Sequence, residues 1–323
     1  MKKILIFGGA GFIGLHLAKK LINEYEVHIL DNFSRGIRDI NIENFLTNRN
    51  TKIINIDALD HNSVSSLDND YSYIFQLAAI VGVENVNNNP YETIYKNFLI
   101  NHHALELARK QKNFEKFIFF STSEVQSSSS NYISMKYPTP ENFPICLPDL
   151  HTKRSTYMLS KIYGEAMCIH HNVPSMILRP HNIYGPRMGM SHVIPELLVR
   201  FYNANLNESL KIYSLSHKRA FCYIDDAIDM IIGLIKNTKS ENITEIFNIG
   251  NEKEEISIRD LVNVLLDTLD RNDLNILSDI NTEGSPSRRC PDMNKTLSIS
   301  KTSPSTDIKE GCWKTWEWYK KNL

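Results

Sequence analysis

Apolar residues in the first half of the chain fall into short unbroken runs, separated by stretches with helical spacing. Residues 4–7 (Ile-Leu-Ile-Phe) are wholly apolar and β-leaning, the pattern of a strand buried on both faces of a parallel sheet. From Phe12 the spacing changes, and Phe12, Ile13, Leu15, Leu17, Leu21 and Ile22 recur at helical intervals. The alternation then repeats. Residues 26–31, 52–57, 73–79, 116–124 and 175–179 read as strands, and 91–112 and 154–171 as helices. Such a succession predicts an α/β fold with a doubly wound parallel sheet.

The regularity has two interruptions. Residues 127–150 read as a loop, first serine-rich and then proline-rich, long enough to suggest a functional insertion. Beyond Pro180, residues 194–202, 225–235 and 257–269 look helical, 247–249 is a short strand, and 286–292 is a loop. A closing helix over 308–321 carries Trp313, Trp316 and Trp318, read as core packing. The expected division is a sheet domain over 1–180, with 219–250 returning to it, and a smaller mixed α/β domain over 181–323.

Composition removes several function classes. With 323 residues the chain can bury a sizeable core. Lys+Arg 36 against Asp+Glu 37, net charge −1, with no basic block, argues against nucleic-acid or membrane-surface binding. The five cysteines are scattered without C-x-x-C spacing, which indicates neither a zinc site nor a disulfide framework. His102/His103 and His170/His171 are sequence neighbours on different helix faces and are not read as metal ligands. The apolar run after Met1-Lys-Lys stops at Phe7, too short for a signal sequence, so a soluble cytoplasmic protein is expected.

The junction of first strand and first helix carries the first chemistry. Gly8, Gly9, Gly11 and Gly14 stand between them, a spacing that matters because a strand precedes and a helix follows. One glycine makes the tight turn, a second admits a pyrophosphate to the backbone, and a third lets helix and strand pack closely. A dinucleotide on a Rossmann sheet is the reading, its pyrophosphate against the helix N-terminus at Phe12 and Ile13. Asp31 ends the second strand about twenty residues on, where a carboxylate bonds the adenosine ribose and repels a 2′-phosphate, which favours NAD. Asp57 is placed for the adenine edge, and small residues at 77–79 let the nicotinamide ribose pass close to the backbone.

Tyr157 and Lys161 carry the second. At i and i+4 on one helix, phenol and ammonium face the same side. A free tyrosine has a pKa of ~10. Bringing it near 7 takes roughly 4 kcal/mol of differential stabilisation, expected from Lys161 and an oxidised nicotinamide ring. Tyr157 could then take a proton from a substrate hydroxyl. Tyr132 and Lys136 repeat the spacing but run into Tyr137-Pro-Thr-Pro140, which cannot continue a helix.

Taken together, Gly8–Gly14, Asp31, Leu77-Ala-Ala79, Ser121-Thr-Ser-Glu124, Tyr157/Lys161, the segment 179–186, the segment 219–226 and Arg288-Arg-Cys-Pro-Asp292 resemble the extended short-chain dehydrogenase/reductase family, in its nucleotide-sugar epimerase/dehydratase branch. The resemblance implies tightly bound NAD, a nucleoside-diphosphate sugar (GDP-, UDP- or dTDP-linked), a C-terminal substrate domain and a homodimer. It implies catalytic roles for Thr122, Ser123, Glu124, Tyr157 and Lys161. Cofactor contacts would come from Gly8, Gly11, Phe12, Ile13, Gly14, Asp31, Asn32, Asp57, Ala58, Leu77, Ala78, Ala79 and Asn97, besides Tyr157 and Lys161. Val83 and Asn182 would meet the substrate, and Arg219 and Arg289 its phosphates. Oxidation at C4, with epimerisation or release of a 4-keto sugar, is the leading expectation. Dehydration with Glu124 as base and decarboxylation of a uronic acid are the alternatives, and a catalytically dead NAD-binding scaffold is a reading from another class.

Overall fold

The computed structural model describes residues 1–238, 244–279 and 286–323. In chain order the elements are β1 (Lys2–Phe7), α1 (Phe12–Leu21), β2 (Tyr25–Leu30), α2 (Ile40–Leu46), β3 (Thr51–Ile54), α3 (His61–Ser65), β4 (Tyr71–Gln76), α4 (Val83–Asn88), α5 (Pro90–Arg109), β5 (Lys116–Phe120), α6 (Ser155–His170) and β6 (Ser175–Pro180). There follow β7 (Ile183–Tyr184), α7 (Val193–Asn203), β8 (Ser209–Ile212), β9 (Lys218–Ala220), β10 (Cys222–Tyr223), α8 (Ile224–Asn237) and β11 (Glu245–Ile249). The last are β12 (Glu255–Ser257), α9 (Ile258–Leu269), β13 (Asn275–Ser278), β14 (Arg288–Arg289), α10 (Asn294–Ser300) and α11 (Ile308–Asn322).

The chain divides into two compact units, the first holding Met1–Ser129, Pro144–Arg179 and Thr238–Phe247. Its sheet has the order β11-β6-β5-β4-β1-β2-β3, and β1 to β6 pair in parallel throughout. Strands β4 and β5 are buried from end to end, polar Ser72, Gln76 and Lys116 included. Leu5, Phe7, Ile74, Phe117, Phe119 and Ile177 pack with Ala104 and Leu105 of α5 and Cys168 of α6. The strand order reverses direction between β1 and β4. A crevice therefore opens at their carboxyl ends, the place where doubly wound sheets bind ligands.

Two boundaries differ from the sequence reading. Strand pairing stops at Phe120 rather than running to Glu124, and Ser123–Asn131 winds into a 3₁₀ helix. The serine run is held by its own hydroxyls: Ser129 Oγ donates to Pro144 O at 2.8 Å, and Ser128 Oγ donates to Cys146 O. Of residues 219–250, only β11 joins the large sheet, whereas β9 and β10 lie in small sheets of their own.

The second unit holds Ser130–Phe143, Pro180–Asn237 and Asn248–Leu323. The segment expected as a loop over 286–292 contains β14, which pairs in parallel with β9. Two residues are too few to show alternation, so the strand exists only through its partner. Trp316 is buried and packs on Tyr202 with ring centroids 4.8 Å apart, whereas Trp313 faces outward. No helix among the described residues is long and apolar enough to cross a membrane.

Asn248 organises this unit. Its backbone N–H donates to Glu141 Oε1 at 2.9 Å, its Nδ2 donates to the carbonyls of Thr139 and Asp292 at 3.1 Å each, and its carbonyl accepts from Thr296 Oγ1 at 2.6 Å. Asn248→Ala should deprive the Asp292 carbonyl and the His181 ring of this partner, while Thr139 O keeps its bond from Asp292 N, and cost about 3 kcal/mol. Urea unfolding checks this, with a lower midpoint and an unchanged slope expected.

Candidate active site

The turn after β1 is steric in origin. Gly8 has φ +72°, and a Cβ there would stand 2.8 Å from Ala78 N. A Cβ on Gly14 would meet Gly8 O at 2.5 Å. Gly11 is the N-cap of α1 and supplies no side-chain cap, so Phe12, Ile13 and Gly14 open the helix with backbone alone. Asp31 folds over this turn, its Oδ2 accepting from Ala10 N at 3.0 Å and its Oδ1 from Phe33 N at 2.9 Å. Asn32 Nδ2 donates to Asp57 Oδ2 at 3.1 Å, and Asp57 Oδ1 accepts from Leu59 N at 2.9 Å, next to buried Ala58. A cradle that any Cβ would fill, a helix N-terminus and a carboxylate at the end of β2 fit a dinucleotide.

Asn97 braces the segment after β4. Its Oδ1 accepts from Ile80 N at 2.7 Å, and its Nδ2 donates to Ile80 O and Ser160 Oγ, each at 3.1 Å. The strip Leu77-Ala78-Ala79 is thereby tied to α6. Val83 opens α4 and is exposed.

The reactive groups gather where β5 ends and α6 begins. Lys161 Nζ is buried and donates to Phe120 O at 2.7 Å. Burial pulls its pKa down to about 8. Thr122, two residues past that carbonyl, hydrogen-bonds Tyr157. Ser123 is buried beside it. Glu124 Oε1 accepts from Arg154 Nη2 at 2.8 Å. Burial pushes the Tyr157 phenol up from its ordinary value, and the Glu124 carboxylate adds to that, while Thr122, Arg35 and Arg154 act the other way. Arg35 and Arg154, which the sequence did not single out, are cations that favour its phenolate. The competing Tyr132 is exposed and lies outside any α-helix.

Four charged residues of this region were not found from sequence. Arg154 stands three before Tyr157, and Glu165 four after Lys161, so helical spacing could have shown both. Arg35 lies in an aperiodic polar loop, and Arg179 ends a buried strand; neither position has a local signal.

In the second unit Arg219 and Arg289 are register partners on adjacent strands β9 and β14. Partners in register project to the same face of a sheet. Arg219 is nearly buried, with Nη1 and Nη2 donating to Lys218 O at 2.8 Å and Pro286 O at 2.7 Å. Arg288, of opposite phase, forks instead onto Glu255 at 2.6 and 2.7 Å. Burial and the Arg219 cation hold the His217 imidazole below its usual pKa. Asn182, at φ +41°, donates from Nδ2 to Ala220 O at 3.0 Å.

A glycine cradle at a topological switch point, with a Thr–Tyr–Lys group at the adjacent strand end, defines a dinucleotide-dependent enzyme acting at a hydroxyl-bearing carbon. Residues 4–250 match the model of the NAD dependent epimerase/dehydratase family, and the chain belongs to that family. It is 32% identical over 259 residues to a UDP-N-acetyl-alpha-D-glucosaminuronate decarboxylase of Bacillus cytotoxicus, covering 79% of this chain and 76% of that one. It is 29% identical to UDP-glucuronic acid decarboxylase 1 of Danio rerio, over 100% of this chain and 73% of the other. Among solved structures it resembles UDP-glucuronic acid 4-epimerase from Bacillus cereus in complex with UDP-glucuronic acid and NAD, with TM-score 0.85, 27% identity, and 99% and 100% of the two chains covered.

The charges around Tyr157 give a signed prediction. Glu124 disfavours the phenolate, so Glu124→Gln should ease its formation. The acid limb of the pH–rate profile should move to lower pH by roughly half a unit to one unit. A steady-state profile of wild type and variant tests it, and a shift to higher pH would contradict the assignment.

Proposed function

We propose that the chain oxidises a UDP-linked sugar at C4, and that the sugar is a uronic acid. The observation that carries the reading is Tyr157 on one face of α6 with Lys161, hydrogen-bonded to Thr122 at the end of β5. Gly8, Gly11, Phe12, Ile13 and Gly14 would hold the pyrophosphate of NAD, with Asp31 and Asn32 at the ribose and Asp57 and Ala58 at the adenine. Leu77, Ala78 and Ala79 would face the nicotinamide end, with Asn97 holding their strip in place. NAD held there would supply a hydride acceptor and donor. Thr122 orients the sugar 4-hydroxyl, Tyr157 takes its proton, and Lys161 orients the nicotinamide ribose. In the second unit Arg219 and Arg289 hold the diphosphate, aided by Asn182, because two guanidinium forks on one sheet face suit phosphate oxygens.

The uronic acid rests on two observations. The decarboxylases and the 4-epimerase described above are all named for UDP-linked uronic acids. Arg154 spends one nitrogen on Glu124 and keeps 29% of its side chain exposed, three residues before Tyr157, where it can meet a sugar carboxylate. The fate of the 4-ketone then divides. Re-reduction from the other face gives the 4-epimer, and release gives the 4-keto sugar. A second reading is decarboxylation: a C6 carboxylate is β to the C4 ketone and leaves without a base at C5. Dehydration needs Glu124 as that base, and its pairing with Arg154 weighs against it. The exposed faces of Tyr91, Tyr95 and Phe98 along α5 support a homodimer through that helix.

Incubation with UDP-glucuronic acid, UDP-glucose and their GDP and dTDP counterparts, with products identified by mass and by sugar NMR, tests the reading. Turnover of UDP-glucuronic acid with retention or loss of CO₂ is expected; loss of water, or no turnover of any of them, would overturn it. Arg219→Ala and Arg289→Ala should each raise KM ~10- to 100-fold with little change in kcat. Unchanged KM in both would move the diphosphate elsewhere.

A further inference from the structure

Beneath the reactive groups lies a buried ion pair that the chemistry above does not use. Glu165 and Arg179 are 4% and 1% exposed. Arg179 Nε donates to Glu165 Oε1 at 2.8 Å and its Nη2 to Oε2 at 2.7 Å. Ser121 Oγ donates to the same Oε1 at 2.5 Å. One carboxylate thus joins the ends of β5 and β6 to α6. A buried pair of this kind gives little net stability, since apolar groups of the same shape serve as well. Its place suggests another use: Glu165 is one helical turn beyond Lys161, as Tyr157 is one turn before it, and Ser121 immediately precedes Thr122.

We propose that Glu165, held by Arg179, is a positioning residue for the Tyr157–Lys161 couple, fixing the strand end that carries Thr122 and supplying the negative charge that Lys161 faces. The proposal rests on the role given to Tyr157 and Lys161 above. Lys161 meets few other charges. Cys168 and Glu165 act on it from its own helix, and β5 offers the Phe120 carbonyl and the Phe119 ring, 5.0 Å away. From β6 comes Arg179, already engaged by Glu165. Burial disfavours the ammonium, and Cys168 and the Glu165 carboxylate oppose that. An uncharged Lys161 would lose the cation that orients the ribose and the positive field beside the phenol.

Glu165→Gln keeps shape and hydrogen-bonding capacity but removes the charge. In protein labelled with ¹³C at the lysine side chains, with the Lys161 signal assigned by its absence in Lys161→Met, the titration midpoint of Lys161 should fall by about one pH unit. This reading needs no substrate, so it stands or fails separately from the assigned reaction. The alkaline limb of activity should move down with it. A folded Glu165→Gln variant with an unchanged midpoint would overturn the charge role. If that variant does not fold, Glu165→Gln/Arg179→Met removes both charges and should show a smaller fall in the same direction, because the lost carboxylate is partly offset by the lost guanidinium; a rise would overturn the charge role. Ser121→Ala tests the positioning role: kcat should drop ~10-fold with KM and the Lys161 midpoint unchanged. Wild-type kcat in Ser121→Ala would overturn that part.

Discussion

The carbonyl of Phe120 is the fixed point of the first unit's chemistry. Phe120 is the last residue of β5, the register partner of Leu178, and Lys161 Nζ donates to its carbonyl at 2.7 Å. That bond sets the axial position of α6 against the sheet. With Lys161 fixed, helical geometry places Tyr157 one turn toward the N-terminus and Glu165 one turn toward the C-terminus. Chain connectivity places Ser121 and Thr122 beside them. A buried ammonium bonded to a carbonyl would be costly alone; the surrounding carboxylate and aromatic face offset that cost.

The second unit solves a different problem, bringing two cations to one face. Neighbouring guanidinium groups repel, and the chain holds Arg219 by donating it to two backbone carbonyls while Arg288, of opposite phase, is neutralised by Glu255. The alternation of a sheet thus puts Arg219 and Arg289 in one phase and the Glu255-paired Arg288 in the other. Elsewhere in the unit, Asn248 ties the loop over 139–141 to the segment at Asp292.

Much of the first unit was legible because its signals are local. β1, the glycine turn and α1 occupy twenty consecutive residues, and Tyr157 and Lys161 are four apart. Strand ends were less legible: residues 121–124 continue an apparently extended run, but hydroxyls that compete for the backbone end the pairing at Phe120. The partners of Tyr157 and Glu124 were hidden for another reason. Glu124 meets Arg154 thirty residues away, and Arg35 reaches Tyr157 from more than a hundred; only folding brings such pairs together. β14 could not be read at all, since two arginines in a proline-flanked stretch have no strand pattern until β9 pairs with them.

The central claim is that hydride leaves C4 of the sugar while Tyr157 takes the hydroxyl proton. UDP-glucuronic acid carrying deuterium at C4 tests it most directly, with turnover quenched at successive times and the dinucleotide recovered for mass analysis. The account predicts deuterium on the recovered dinucleotide with wild-type protein and none with Tyr157→Phe, although that variant still binds NAD. Turnover of the labelled sugar with no deuterium on the dinucleotide at any time would contradict it.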